Sequence, residues 1–238
     1  MRLHFSYLSN SMHALDNVIW QALSTRQAHL GESRNSARRF QPEISLLGGF
    51  PTPAEDHYDS LASLVQSGER VGLFLKEDPI ELAAWTIALS VPLLEMVCDN
   101  GHAPAPQNGG MIVPLGEQNV PEMMSLTQLT LPGPFSARTR EMGEYWGIRD
   151  DGGELIAMAG ERLKVPGYTE ISAVCTHPKH TGKGYARTLI LWLMSRIACR
   201  GETSFLHVRP DNKRAVKLYE SLGFSNRVLL RYVILQKK

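Results

Sequence analysis

Cysteine is scarce in this chain: Cys98, Cys175 and Cys199 are the only three among 238 residues. An odd, widely spaced set with no C-x-x-C pair gives no disulfide framework, and a reducing, cytoplasmic setting is expected. Long apolar runs are also missing. The most apolar stretch, Ala83 to Val97, carries Ser90, Pro92 and Glu95 and falls short of the ~20 residues needed to cross a bilayer. The first residues, Met1 to Tyr7, hold no apolar run of signal-peptide length, so no membrane partner is expected. Neither charge sign dominates, with 25 Lys+Arg against 24 Asp+Glu, and nothing in that balance asks for nucleic acid. Internal repeats are absent.

What the chain does have is an ordinary globular composition, 43% hydrophobic and 21% charged, enough for a sizeable core in one large domain or two modest ones. The sharpest compositional break is Gly101-His-Ala-Pro-Ala-Pro-Gln-Asn-Gly-Gly110, whose glycines and prolines disfavour helix and strand alike. The expected division is therefore an N-terminal mixed α/β domain over 1–100, a linker over 101–110 and a C-terminal domain over 111–238. In the first part Leu15, Val18, Ile19 and Ala22 recur at helical spacing, as do Leu61, Leu64 and Val65. Val71 to Leu75 and Ala83 to Leu89 read as buried strands. No catalytic motif stands out there.

The second part is more legible. Met111 to Leu115 reads as a strand, Pro121 to Leu129 as a helix with proline at its start, and Ala137 to Met142 as a second short helix. Three strands follow, Tyr145 to Arg149, Leu155 to Leu163 and Tyr168 to Thr176, joined by turns at Asp150-Asp-Gly-Gly153 and Val165-Pro-Gly167. Ala186, Leu189, Ile190, Leu193, Met194, Ile197 and Ala198 form one continuous helical stripe, stopped by Gly201. A strand at Phe205 to Val208, a helix through Ala215, Leu218, Tyr219 and Leu222, and a strand at Val228 to Leu235 complete an α+β order with a mostly antiparallel sheet.

The informative segment is Glu170-Ile-Ser-Ala-Val-Cys-Thr-His-Pro-Lys-His-Thr-Gly-Lys-Gly-Tyr-Ala-Arg187. A strand ends at Pro178, a glycine-containing loop follows, and the striped helix begins. Such a junction leaves backbone N–H groups unpaired at the positive end of a helix dipole, where a pyrophosphate fits. A nucleoside-triphosphate loop would need G-x-x-x-x-G-K-[ST], but Lys183 is followed by Gly184. A dinucleotide loop would need a third glycine where Arg187 stands.

Thr181-Gly-Lys-Gly-Tyr-Ala186 resembles the pyrophosphate loop of the GNAT superfamily of N-acetyltransferases, Gln/Arg-x-x-Gly-x-Gly/Ala, with Thr181 departing from the usual first residue. Asp211-Asn-Lys-Arg-Ala-Val-Lys-Leu-Tyr-Glu-Ser-Leu-Gly-Phe224 resembles that family's N-x-x-A-x-x-L-Y-x-x-L-G-F helix. Within the superfamily, residues 111–238 look closest to the glycine N-acyltransferase-related group, and two readings stay open for the first hundred residues, a degenerate copy of the fold or an unrelated cap. The resemblance implies transfer of an acetyl group from acetyl-CoA to a primary amine of a small molecule or peptide, by direct attack and without a metal, in a monomer or homodimer.

It also implies roles for residues. Glu170 is expected as general base through water, with the strand parity it shares with Ser172, Val174 and Thr176 turning it to a polar face, and Tyr219 as the acid for the departing thiolate. The backbone of Val174, Cys175 and Thr176 would pair with the pantetheine arm. Gly182, Lys183, Gly184, Tyr185, Ala186 and Arg187 would hold the pyrophosphate through their amides, and Asn212 would bond the cofactor or cap its own helix. Cys175 as an acyl carrier, and His177 with His180 as a metal pair, are the weaker readings. Two alternatives stay open: an acyl-CoA-binding sensor without catalysis, and an acyltransferase for longer acyl chains.

Overall fold

The computed structural model describes residues 13–79, 82–99 and 112–238. Among the described residues eleven strands fall into two sheets. A small antiparallel one joins β1 (Gly31–Arg34), β2 (Ala37–Phe40) and β3 (Gly48–Gly49). The large sheet holds β4 (Arg70–Leu75), β5 (Trp85–Val97), β6 (Ile112–Leu115), β7 (Tyr145–Arg149), β8 (Leu155–Val165), β9 (Tyr168–Thr176), β10 (Thr203–Val208) and β11 (Ser225–Lys237). Its spatial order is β4-β11-β5-β10-β9-β8-β7-β6. Only β9 and β10 run parallel; every other pair is antiparallel. The helices are α1 (Val18–Ser24), α2 (Glu55–Ala62), α3 (Val120–Thr130), α4 (Tyr185–Cys199) and α5 (Lys213–Ser221). This is the α+β architecture the sequence pattern predicts.

The division expected at 101–110 needs correcting. That segment lies outside the described residues, but the strands on either side of it share one sheet. β5 is inserted between β10 and β11, paired to the latter from Trp85 to Val97, and β4 extends the sheet beyond β11. The core does not divide either. Val97 packs with Leu163, Val165 and Phe205, and Val71 with Val233 and Leu235. Strands β4 and β5, which precede that segment, are therefore part of the same sheet and core as the strands that follow it. Strand β5 also runs eight residues past the stretch read as strand, straight through Pro92, because β10 pairs with it only from Leu94 to Val97. Pro92 thus lies where one edge of β5 is free, and a proline's missing N–H is tolerated there.

Two helices fix the site. On α4 the stripe Leu189, Ile190, Leu193, Met194 and Ile197 is almost fully buried against the sheet, each side chain stabilising the fold by roughly 1.5–3 kcal/mol. Helix α5 is defined at both ends. Asn212 caps it by accepting a bond from the Ala215 amide at 3.2 Å. At the other end Gly223 takes φ +93, the Phe224 amide bonds to Tyr219 O and the Gly223 amide to Glu220 O. That six-to-one plus five-to-two pair is a Schellman stop, and the Phe224 ring closes over Tyr219 at 6.1 Å between centroids. The G-F ending of the motif thus has a packing reason: it seats Tyr219.

Candidate active site

Strands β9 and β10 start side by side and then part. Their pairing covers only Tyr168, Thr169 and Glu170 opposite Thr203, Ser204 and Phe205. Beyond Glu170 the β10-facing edge of β9 has no strand partner, whereas its other edge stays paired to β8 as far as Thr176. The result is a cleft with a free strand edge along Val174, Cys175 and Thr176, suited to an extended arm added as an extra strand.

At the top of that edge the chain turns through Pro178–His180, a single 3-10 turn, into α4. Gly182 and Gly184 sit at φ +82 and +83, a conformation that costs most L residues roughly 1–2 kcal/mol. The space where a Cβ would project is open at both. Among the described residues, no amide from Gly182 to Arg187 has a hydrogen-bond partner, and the helical ladder begins only with Thr188 donating to Gly184 O. Six consecutive free donors at the start of a fifteen-residue helix suit a pyrophosphate. Lys183 and Arg187 stand exposed beside them.

Tyr219 is buried within the cluster that also holds Val174 of β9, Val208 of β10 and Tyr185 of α4. Its hydroxyl has no partner among the described residues, and burial pushes its pKa up to about 12. It keeps its proton at any physiological pH. Burial also raises the Cys175 thiol to about 11, leaving it a protonated, unreactive neighbour of Tyr145 and Met158. Asn212 Oδ1 is committed to the helix cap, and its amide NH2 group has no partner among the described residues. Among the described residues no group of three or more His, Cys, Asp or Glu could hold a metal.

The orientation expected for Glu170 is overturned. Strand parity fails because β9 carries an extra residue at Ala173, φ +51, where the register with β8 slips between Cys175 and Ser172. Past this bulge Val174 packs under α4 and Cys175 takes the opposite face. Glu170, below it, is fully buried. A second bulge, at Arg162 and Leu163 of β8, places two residues opposite it. Glu170 accepts from Arg162 Nε at 2.8 Å and Nη2 at 2.5 Å, from the freed Leu163 amide at 3.1 Å, and pairs with His207 Nδ1 at 2.7 Å. Burial alone would raise its pKa, but Arg162 and then His207 hold it at about 2. A carboxylate this stabilised and this enclosed is a poor proton acceptor.

The charges continue inward. His207 Nε2 lies 3.3 Å from Glu95 Oε2, Arg227 Nη1 donates to Glu95 Oε1 at 2.7 Å, and Arg227 also bonds Asp16. Burial would lower the His207 pKa, but Glu170 and Glu95 on its two nitrogens raise it. The row Arg162, Glu170, His207, Glu95, Arg227, Asp16 therefore alternates in sign. Sequence reading missed it because its members come from five strands and the segment before α1.

With this geometry in view, comparison with known proteins is decisive for the family. Residues 145–233 match the family described as FR47-like protein. A crystal structure of a GNAT-family protein from Novosphingobium aromaticivorans is 35% identical, covers 95% of this chain and all of its own, and superposes with a TM-score of 0.89. A GCN5-related N-acetyltransferase from Kribbella flavida shares the fold at 15% identity, 93% of this chain, 96% of its own and a TM-score of 0.60. The N-alpha-acetyltransferase RimI of Mycobacterium tuberculosis is 37% identical over 107 residues, 42% of this chain and 65% of that protein, so the chain spans just under two thirds of that relative. The chain belongs to the GNAT family of acyl-CoA-dependent N-acetyltransferases.

Proposed function

We propose that this protein transfers an acetyl group from acetyl-CoA to a primary amine of a small molecule or peptide, by direct attack on the thioester. One observation carries the reading: the unpaired edge of β9 leads straight to six free amides at the start of α4. The backbone of Val174, Cys175 and Thr176 holds the pantetheine arm, and an N–H of that stretch polarises the thioester carbonyl. Amides of Gly182, Lys183, Gly184, Tyr185, Ala186 and Arg187 hold the pyrophosphate, and Asn212 donates from its free amide. Tyr219 hydrogen-bonds the sulfur as the C–S bond breaks, and the proton shed by the attacking amine ends on the departing thiol. Glu170 acts at one remove, by positioning Arg162 and His207. Similarity to an enzyme named as an N-alpha-acetyltransferase favours an α-amine. A glycine N-acyltransferase-like preference for longer acyl chains is decided by competing short and long acyl-CoAs.

The test is release of free CoA thiol from acetyl-CoA across a panel of primary amines. Saturable release that needs both amine and protein is the expected result. Tight acetyl-CoA binding with no amine accelerating release would instead favour a sensor.

A further inference from the structure

Resting on the transferase reading, we infer that Arg162 recognises the acceptor and that the acceptor carries a carboxylate beside its amine, as an amino acid does. A small cleft opens between the Pro132–Phe135 loop, Tyr145 and the Ser172–Ala173 bulge. Gly160 makes it possible, since a Cβ there would strike the Tyr145 ring that forms one wall. Arg162 is the one charged residue lining this cleft.

The guanidinium is fixed before any ligand arrives. Nε and Nη2 are bound to Glu170 and its side chain remains 18% exposed. Nη1 has no hydrogen bond to any described residue, and neither does the Ser172 hydroxyl. A guanidinium has five N–H donors in a planar fork, so its bonds to Glu170 leave donors for a second carboxylate. The row of charges gives the sign. It alternates from Asp16 to Arg162 and ends on a cation at the cleft, so a carboxylate bound there continues the alternation, whereas a second cation would face an immobilised like charge. Proline, glycine and phenylalanine in the facing loop offer no competing anion. The site therefore selects amines with a carboxylate and rejects polyamines.

The test compares α-amino acids with their α-amides as acceptors for acetyl-CoA, and measures binding of the matching N-acetyl amino acids and N-acetyl amino acid amides to the CoA-loaded protein by calorimetry. Carboxylate forms are expected to be better by at least about tenfold, in KM and in Kd alike. R162Q should erase that gap. Because R162Q strands a buried carboxylate, the double variant R162Q/E170Q, which removes both charges, is measured beside it, and it should show the same loss. Equal performance of acids and amides, or a gap that survives in the double variant, overturns the assignment. If acids bind better but no amine turns over, the anion site stands and the transferase reading falls. If turnover occurs without a carboxylate preference, the reverse holds.

Discussion

Tyr219→Phe is expected to lower kcat by about 100-fold or more, the usual scale for loss of a positioned proton donor, with KM for acetyl-CoA nearly unchanged. The reasoning is geometric and electrostatic together. The Schellman stop at Gly223 and the Phe224 ring hold Tyr219 in the cluster that joins both parted strands, and burial at a pKa of about 12 keeps the phenol protonated. Phenylalanine fills the same space, so the fold and the cofactor site stay intact while the hydrogen bond to sulfur is lost. Steady-state kinetics check it. Unchanged turnover would remove Tyr219 from the reaction and leave it a core residue.

The second large effect falls on stability. Glu170→Gln removes the carboxylate between Arg162 and His207, leaving two buried cations facing a neutral amide. Breaking a buried pair from one side costs about 3–5 kcal/mol, or roughly 10 °C in Tm for a chain of this length. The pH dependence has a definite sign. The Glu170 pKa is depressed on folding from 4.5 to about 2, so its contribution is full above its unfolded value and disappears as pH falls from about 4.5 towards 2. His207 is shifted the other way, so its contribution is full below its ordinary 6.5 and fades as pH rises through its raised folded value. Thermal melts across acid pH should show the E170Q deficit shrinking as the wild type loses the same interaction. If Glu170 were instead an accessible base, E170Q would melt like the wild type and lose only activity.

Local pattern made the second half of the chain readable. The stripe on α4, the glycines before it and the L-Y-x-x-L-G-F run each act within a turn or two of helix, and each lies where the sequence predicts. Three features were out of reach for a common reason, being settled by partners distant in sequence. Strand β5 looks like any apolar segment until β11 pairs with it from Trp85 to Val97, so nothing local says it belongs to the C-terminal sheet. The bulges at Ala173 and at Arg162–Leu163 depend on the register between β8 and β9, and a one-residue slip reverses every later side chain. Parity counting therefore turns Glu170 to a polar face, whereas it lies fully buried. Arg162 carries no motif at all. Its place in the cleft follows from Glu170 behind it and a gap in front.

The central claim is that the free β9 edge and the first turn of α4 together take acyl-CoA. It is tested most directly by titrating acetyl-CoA into isotope-labelled protein and following backbone amide resonances. The account predicts that Gly182 and Gly184 shift together with Val174 to Thr176 in a single saturable transition. Saturating acetyl-CoA that leaves those amides unmoved would contradict it.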